Sequence, residues 1–363
     1  MISQLSELVS CESSSDDLLG LQRCAELLGT WFEEPLGRQA IRPTDGVPHL
    51  LWPGRDDGVL LLGHFDTVWP AGTLVDWPFA VEAGVARGPG VFDMKAGIVQ
   101  MLAAVSTLAD PGAVTVLLTG DEEVGSPTSR AVIEREALRA QAVLVCEPSA
   151  DGAAVKIARK GIADYELRVR GRAAHAGLEP ELGVNATVEI AHQILAAQAL
   201  ADPEQGTSVT PTIVTGGTTT NSVPESAFVR LDVRSWTRAE LDRADAGLRA
   251  LTARLPGAEV SVMGGVNRYP FEREVAMELM RAAHDVSRSL GVDPVEAVRS
   301  GGASDGNFTA ALGVPTLDGL GAVGAHPHSR SEWVDTTAMP HQAAVLAGLI
   351  ERIITNGLPE SSA

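Results

Sequence analysis

Cysteine is scarce in this chain: three residues among 363, Cys11, Cys24 and Cys146, at unrelated spacings. That pattern points to reduced thiols rather than a disulfide framework. Positive charge is also short. Lys and Arg number 28 against 47 Asp and Glu, for a formal net charge of −19, so nucleic acid is a poor partner, since phosphate binding needs a clustered basic surface. No apolar run approaches the roughly 18 residues of a membrane span. The stretch from Met1 to Val9 lacks the basic region and apolar core of a secretion signal, and a cytoplasmic protein is expected. There are no repeats and no low-complexity tract. What is present is ordinary globular material, 45% apolar and 21% charged, long enough for two domains and at least one large core.

Val59 to Leu62 is a short apolar run ending at Gly63-His64, which suits a buried strand. Helical spacing over Met94 to Leu108, a strand over Ala113 to Leu118, a helix over Ser129 to Ala140 and a strand over Ala142 to Val145 follow. Strands separated by helices imply crossover connections and a mainly parallel sheet. The style returns late, with a helix over Glu274 to Leu290, a strand near Val295, a short helix from Asp305, a strand near Val314 and a final helix ending at Gly357. The middle differs. Asp164 to Arg170 alternates polar and apolar residues. A helix over Val184 to Leu200, strands at Thr212 to Thr215 and Ala227 to Val233, a helix over Ala239 to Leu255 and a strand at Glu259 to Met263 follow. The order β-α-β-β-α-β is ferredoxin-like. The expected architecture is therefore α/β: a discontinuous domain of 1–161 and 269–363 with a mainly parallel sheet flanked by helices, and an inserted α+β lid or dimerisation domain of 162–268.

Four segments put metal-binding side chains just after expected strands: Gly63-His64-Phe65-Asp66, Gly88 to Asp93, Gly120-Asp121-Glu122-Glu123, and Cys146-Glu147-Pro148. Ligands of open parallel sheets gather at the carboxyl ends of the strands, so these segments converge on topological grounds. A fifth lies in Gly324 to Glu332, with His326 and His328. Each alone has a bland reading: a structural histidine, a solvated acidic turn, a helix cap. Their coincidence at element ends of one domain carries the argument. Imidazole and carboxylate donors suit zinc, and no cysteine pair suggests a thiolate site. Two divalent ions carry +4; a bridging Asp93, terminal Glu123 and Glu147 and one hydroxide supply −4, with His64 and His328 neutral. Such a balance favours a partly buried cluster. Water between two ions becomes a nucleophile near neutral pH. One carboxylate must stay off the metal to carry the proton to the leaving amine, and Glu122, beside Glu123, is the candidate. Asp66 can hold the His64 imidazole in the tautomer that presents its free nitrogen to zinc.

These segments resemble the dizinc M20-type metallopeptidase family, which includes the glutamate carboxypeptidases, succinyl-diaminopimelate desuccinylase, acetylornithine deacetylase and the aminoacylases. The similarity runs in order through nearly the whole chain and looks closest to the bacterial glutamate carboxypeptidase branch, through Gly63 to Val68, Gly88 to Gly97, Asp121 to Ser126, Glu147 to Ser149 and Arg172 to Ala186. The resemblance implies His64, Asp93 and Glu147 on one zinc, Asp93, Glu123 and His328 on the other, and Glu122 as general base. Family spacing, a histidine four residues before a glutamate, selects His328 ahead of Glu332, with His326 as the alternative. It also implies a cis peptide bond after Asp93, which would re-aim a bridging carboxylate.

In the middle domain the resemblance makes His175 a donor to the developing oxyanion, supplied in family dimers from the partner subunit, and Asn221 a substrate-binding asparagine. Arg234 and Arg268 are candidates for clamping a substrate carboxylate, since the guanidinium fork pairs two-to-two with carboxylate oxygens. Glycine-rich Ser300 to Asp305 opens no nucleotide fingerprint.

The expected enzyme is a zinc metallopeptidase or amidohydrolase with two Zn²⁺ per subunit, Co²⁺ or Mn²⁺ being possible substitutes. It would act on a small peptide or N-acyl amino acid with a free carboxylate and form a homodimer through the inserted domain. A deacetylase or desuccinylase acting on N-acyl amines is the alternative within the same metal chemistry. A non-catalytic binding homologue is disfavoured because the ligand and base positions are intact.

Overall fold

The computed structural model describes residues 1–44 and 46–358. The chain divides into two compact units, one of Met1–Ala158, Phe271–Ser300 and Ser304–Ala363, the other of Arg159–Pro270 with Gly301–Ala303.

The first unit is built on a five-stranded sheet in the order Leu50–Trp52, Val114–Thr119, Gly58–His64, Ala140–Val145, Thr316–Leu317. All neighbours are parallel except the antiparallel edge strand Leu50–Trp52. The unbroken apolar runs have a direct cause: side chains alternate between faces, and both faces are buried. Val59 and Leu61 join the core of Val114, Val116, Leu118 and Leu144, while Leu60 and Leu62 join that of Leu117, Val143, Val145, Ile133 and Phe308. The helix Ala96–Val105 covers the first face and packs against the last helix, Met339–Asn356. Its start lies so close to the sheet that a Cβ on Gly97 would stand 2.2 Å from the Cys146 carbonyl oxygen. Only glycine fits there.

Several elements depart from expectation. Helices Ile2–Ser10 and Leu18–Leu36 precede the sheet. The strand expected near Val295 forms at Ala297–Ser300, outside the main sheet, and the one near Val314 at Thr316–Leu317. An unanticipated antiparallel sheet joins Gly324–Ala325, Trp333–Asp335, Val85–Arg87 and Ala80–Glu82.

The second unit has the ferredoxin-like order Ser208–Gly216, Ser226–Ser235, Gly161–Arg170, Glu259–Arg268, with every neighbour antiparallel. Ala163, Tyr165, Leu167 and Val169 alternate into a core with Val229, Leu231 and Val233, Ile190 of helix Ala186–Gln198 and Leu241, Ala244 and Leu248 of helix Arg238–Arg249. The other face keeps the polar half of the pattern, including Asp164, Arg168 and Arg170. The first helix starts where Asn185 caps it, its side-chain oxygen accepting from the amides of Thr187 (3.0 Å) and Val188 (3.2 Å). The second ends at Arg249, short of the expected Leu255, because the chain turns to give the Arg254 and Leu255 amides to the buried carboxylate of Glu189.

Candidate metal centre

The centre assembles at strand ends of the first unit. His64 closes Gly58–His64, Glu122 and Glu123 form the short turn after Val114–Thr119, Glu147 follows Ala140–Val145, and Asp93 lies in the irregular turn Val91–Lys95. The Asp93–Met94 peptide bond is cis, as the resemblance implies. His328 comes from the loop before Trp333–Asp335, in a left-handed conformation (φ 59°).

The two oxygens of Asp93 face opposite ways. Oδ1 lies 3.3 Å from His64 Nε2, which is also 3.4 Å from Glu147 Oε1. Oδ2 lies 3.4 Å from His328 Nε2, itself 3.2 Å from Glu123 Oε2. One carboxylate thus spans two donor sets, each completed by a histidine and a glutamate. Glu122 belongs to the same cluster: donor atoms of His64, Glu122 and Glu147 lie within 4.8 Å of one another. It is His328, not His326, that meets the carboxylates.

The surroundings hold these groups in place. His64 Nδ1 bonds the backbone carbonyl of Asp66 (3.0 Å), with the Asp66 carboxylate further off at 3.4 Å. A proton on Nδ1 leaves Nε2 to face Asp93 and Glu147. The Asp66 carboxylate accepts from the amides of Glu122 and Glu123 (3.1 Å each) and from Ser15 Oγ (2.7 Å), so it orders the acidic turn more directly than the imidazole. Asp121 does the same from the far side, accepting from the Thr128 and Ser129 amides and hydroxyls.

Glu332 is the residue sequence reasoning missed. It entered only as a spacing marker for His328, yet its fully buried carboxylate accepts from the amides of Gly90 (3.2 Å), Phe92 (2.7 Å) and Asp93 (3.0 Å) and from Trp69 Nε1 (3.1 Å). It clamps the turn that carries the spanning aspartate. Burial pushes its carboxyl up to about 7, even though those amide bonds favour the charged form.

The electrostatics ask for cations. Burial opposes charge on His64, but the adjacent Asp66, Asp93 and Glu147 outweigh it and raise its pKa well above the ordinary value. Asp93 and Glu123 raise His328 to about 10. Burial would raise Asp93, yet the two histidines hold it well below the usual carboxylate range. Glu123 is raised, first by burial and further by the Asp93 charge. Its Oε1 is buried and has no hydrogen-bond partner among the described residues, a costly omission unless a cation takes that lone pair. The donor set, imidazole nitrogen with carboxylate oxygen, fits zinc or a similar divalent ion.

The remaining candidates lie in the second unit. His175 ends the two-residue strand Ala174–His175, paired with Ser222–Val223, and the Ala176 amide donates to the Asn221 carbonyl (3.0 Å), so His175 and Asn221 are neighbours. His175 Nδ1 accepts from the amides of Gly177 and Leu178 (3.1 Å each), which places the ring proton on Nε2 and makes that nitrogen a donor. Arg234 pairs with Asp232 through Nε (3.0 Å) and Nη2 (3.0 Å) and donates from Nη1 to the Gly301 carbonyl (3.1 Å). Arg268, at the end of Glu259–Arg268, is buried.

Comparison with known proteins gives a consistent result. The model of peptidase family M20/M25/M40 matches residues 60–352. Carboxypeptidase G2 of Pseudomonas sp. is 32% identical, with 96% of this chain and 88% of that protein aligned. Succinyl-diaminopimelate desuccinylase of Alkalilimnicola ehrlichii is 29% identical over 91% of this chain and 94% of its own length. Among solved structures, the aminopeptidase PepT of Bacillus cereus superposes with a TM-score of 0.81 at 22% identity, covering 98% of both chains.

Proposed function

From its membership of peptidase family M20/M25/M40, a family of amide-bond hydrolases to which this chain belongs, we propose that it cleaves a small peptide or N-acyl amino acid bearing a free carboxylate. The observation that carries this reading is the Asp93 carboxylate spanning two histidine–glutamate pairs beside Glu122.

His64, Glu147 and Asp93 Oδ1 would hold one divalent ion, and His328, Glu123 and Asp93 Oδ2 a second; zinc is the proposed metal. Two such ions acidify water and polarise a carbonyl oxygen. Glu122 acts as general base: its carboxylate takes a proton from the attacking water and delivers it to the amide nitrogen as that bond breaks. Asp66 keeps the Glu122–Glu123 turn in register for the task. His175 Nε2–H donates to the developing oxyanion. Asn221, Arg234 and Arg268 bind the substrate, with Arg234 exchanging its Asp232 partner for the substrate carboxylate, an equivalent two-to-two pairing.

We further propose a homodimer through the second unit. Its support is exposed apolar surface on that unit: Val188 and Leu195 on helix Ala186–Gln198, and Ile213 and Val214 on edge strand Ser208–Gly216. An unpaired apolar edge strand is a liability in a lone protomer. The resemblance to family dimers then assigns His175 to the partner subunit's reaction. Mixing Glu122→Gln with His175→Ala subunits tests that assignment. If His175 acts in trans, each heterodimer keeps one intact site and about half-activity returns; demonstrated exchange without recovery refutes it.

The chemistry is tested by stripping metal exhaustively, reconstituting with zinc, cobalt or manganese, and screening dipeptides and N-acyl amino acids against N-succinyl and N-acetyl amines. Turnover that vanishes with the metal and returns with it, strongest on carboxylate-bearing amides, is expected. Turnover by a demonstrably metal-free protein sinks the mechanism. A preference for N-succinyl amines would favour the desuccinylase reading, which the 29% identity to such an enzyme supports.

A further inference from the structure

The segment after helix Ile2–Ser10 lies against the chain just beyond His64. Its start is anchored by Lys95, whose buried Nζ donates to the carbonyls of Leu8 (3.0 Å) and Cys11 (2.8 Å). Residues 13–15 then run parallel to residues 65–67, with Ser14 bridged to Thr67. The Thr67 amide donates to the Ser13 carbonyl (2.8 Å), and the Ser15 amide to the Thr67 carbonyl (3.3 Å). Ser13 Oγ adds a bond to the Phe65 carbonyl (2.6 Å). Glu12 ties the same stretch to the next loop, accepting from the amides of Gly72 (2.8 Å) and Leu74 (3.0 Å). This pairing brings one side chain to the metal centre: Ser15 Oγ donates to Asp66 Oδ2 at 2.7 Å. We propose that Ser15 is a positioning residue for the Glu122–Glu123 turn, acting through the Asp66 carboxylate. The proposal rests on the reading of Glu122 as general base and Glu123 as metal ligand.

Two neighbours compete for the Asp66 side chain. Its carboxylate is fully buried, where a charge is costly unless hydrogen-bonded. Oδ1 takes the Glu122 amide (3.1 Å) and lies 3.4 Å from His64 Nδ1, while Oδ2 takes the Glu123 amide (3.1 Å). An imidazole N–H bonds a carboxylate as well as a backbone carbonyl, and here it meets the Asp66 carbonyl at 3.0 Å. Among the described residues, Ser15 is the one side-chain hydroxyl that donates to this carboxylate. It pulls on Oδ2 rather than on the Oδ1 beside the ring, so both oxygens stay on the acidic turn. A hydrogen bond to a charged acceptor is about twice as strong as a neutral one, which is enough to set that bias. Without the hydroxyl, Oδ2 keeps a single amide and the carboxylate is free to turn toward His64. The Glu122 and Glu123 amides then loosen, while His64 keeps a partner for its ring.

The test compares Ser15→Ala and Ser15→Thr with the wild-type protein in two ways. Amide exchange in the protein as isolated reads the turn directly. Ser15→Ala should speed exchange at Glu122 and Glu123 about tenfold, with Ser15→Thr close to wild type. Steady-state kinetics at saturating metal should show kcat lowered about 10–100-fold by Ser15→Ala, KM nearly unchanged, and turnover restored in Ser15→Thr. In an Asp66→Ala background, Ser15→Ala should change neither readout, since the hydroxyl acts only through that carboxylate. Unchanged exchange at Glu122 and Glu123 in Ser15→Ala, a threonine as damaging as alanine, or an effect that persists without Asp66 would overturn the proposal. A wild-type protein that hydrolyses none of the amides screened would remove the base assignment instead, while the exchange comparison still decides whether Ser15 holds the turn.

Discussion

Around His64 the groups that shape the site are buried and tied to backbone, Asp66 and Glu332 each gathering amides from other parts of the chain. His175 and Asn221, by contrast, are exposed side chains on and beside a pair of two-residue strands, and the His175 ring is steadied by the amides of Gly177 and Leu178 close by in the chain. The difference matches the roles proposed for each. Metal ligands have to stand at fixed separations, and a misplaced buried carboxylate is costly. A group with the role proposed for His175, donating to a developing oxyanion, needs its proton on the correct nitrogen. The first unit fixes a constellation, and the second fixes a tautomer.

The sharpest break in that comparison lies inside the cluster. Glu122→Gln keeps shape and burial but cannot accept a proton, so turnover should fall about 10²–10⁴-fold while metal content, read by elemental analysis, stays at the wild-type level. Glu123→Gln should do the reverse and lose metal, since it removes an anionic donor. Equal metal loss in both variants would dissolve the distinction between base and ligand. For the exposed region, His175→Ala should lower turnover about 10²–10³-fold with metal content and thermal stability unchanged, the cost of removing one oxyanion donor. A shifted melting temperature would show His175 to be structural.

Glu332 separates positioning from ligation. Glu332→Ala should weaken metal affinity about 10–100-fold, as loss of outer-shell support typically does. Turnover should recover substantially at saturating metal, because no donor atom is lost. Unchanged affinity would show that the turn around Asp93 holds its shape without the clamp.

Legibility in the sequence divides along the same line. The strand ends of the first unit and the β-α-β-β-α-β order of the second are readable, because apolar runs and period-two alternation reflect burial on two faces or one. The Glu332 clamp is not. Its partners are backbone amides 239 to 242 residues away and one indole, and an amide leaves no mark in residue identity. Asp66 shows the same limit: adjacency to His64 suggests a partner for the ring, whereas its carboxylate serves amides at Glu122 and Glu123. The small sheet of Ala80–Glu82, Val85–Arg87, Gly324–Ala325 and Trp333–Asp335 is built of two- and three-residue strands from distant segments, too short for any period to show.

The smallest expected effect tests whether the second unit is loose throughout or only at its exposed strand pair. Glu189, fully buried on helix Ala186–Gln198, accepts from the amides of Arg254 (3.0 Å) and Leu255 (2.7 Å) and from Gln193 Nε2 (2.6 Å). It ties that helix to the segment after helix Arg238–Arg249, which makes it this unit's counterpart of Glu332. Removing it leaves those donors unsatisfied, so Glu189→Ala should cost about 2 kcal/mol, read as faster amide exchange in both helices with no change in metal content. Burial would raise its carboxyl, but the amide and Gln193 bonds prevail and its pKa is lowered. A depressed folded-state value stabilises fully above the unfolded value of about 4.3 and loses that contribution as pH falls through the folded one. The stability gap between wild type and Glu189→Gln should therefore be constant near neutrality and shrink below about pH 4. A gap that stays flat into acid would mean that the carboxylate charge contributes nothing and that packing alone holds the helices together.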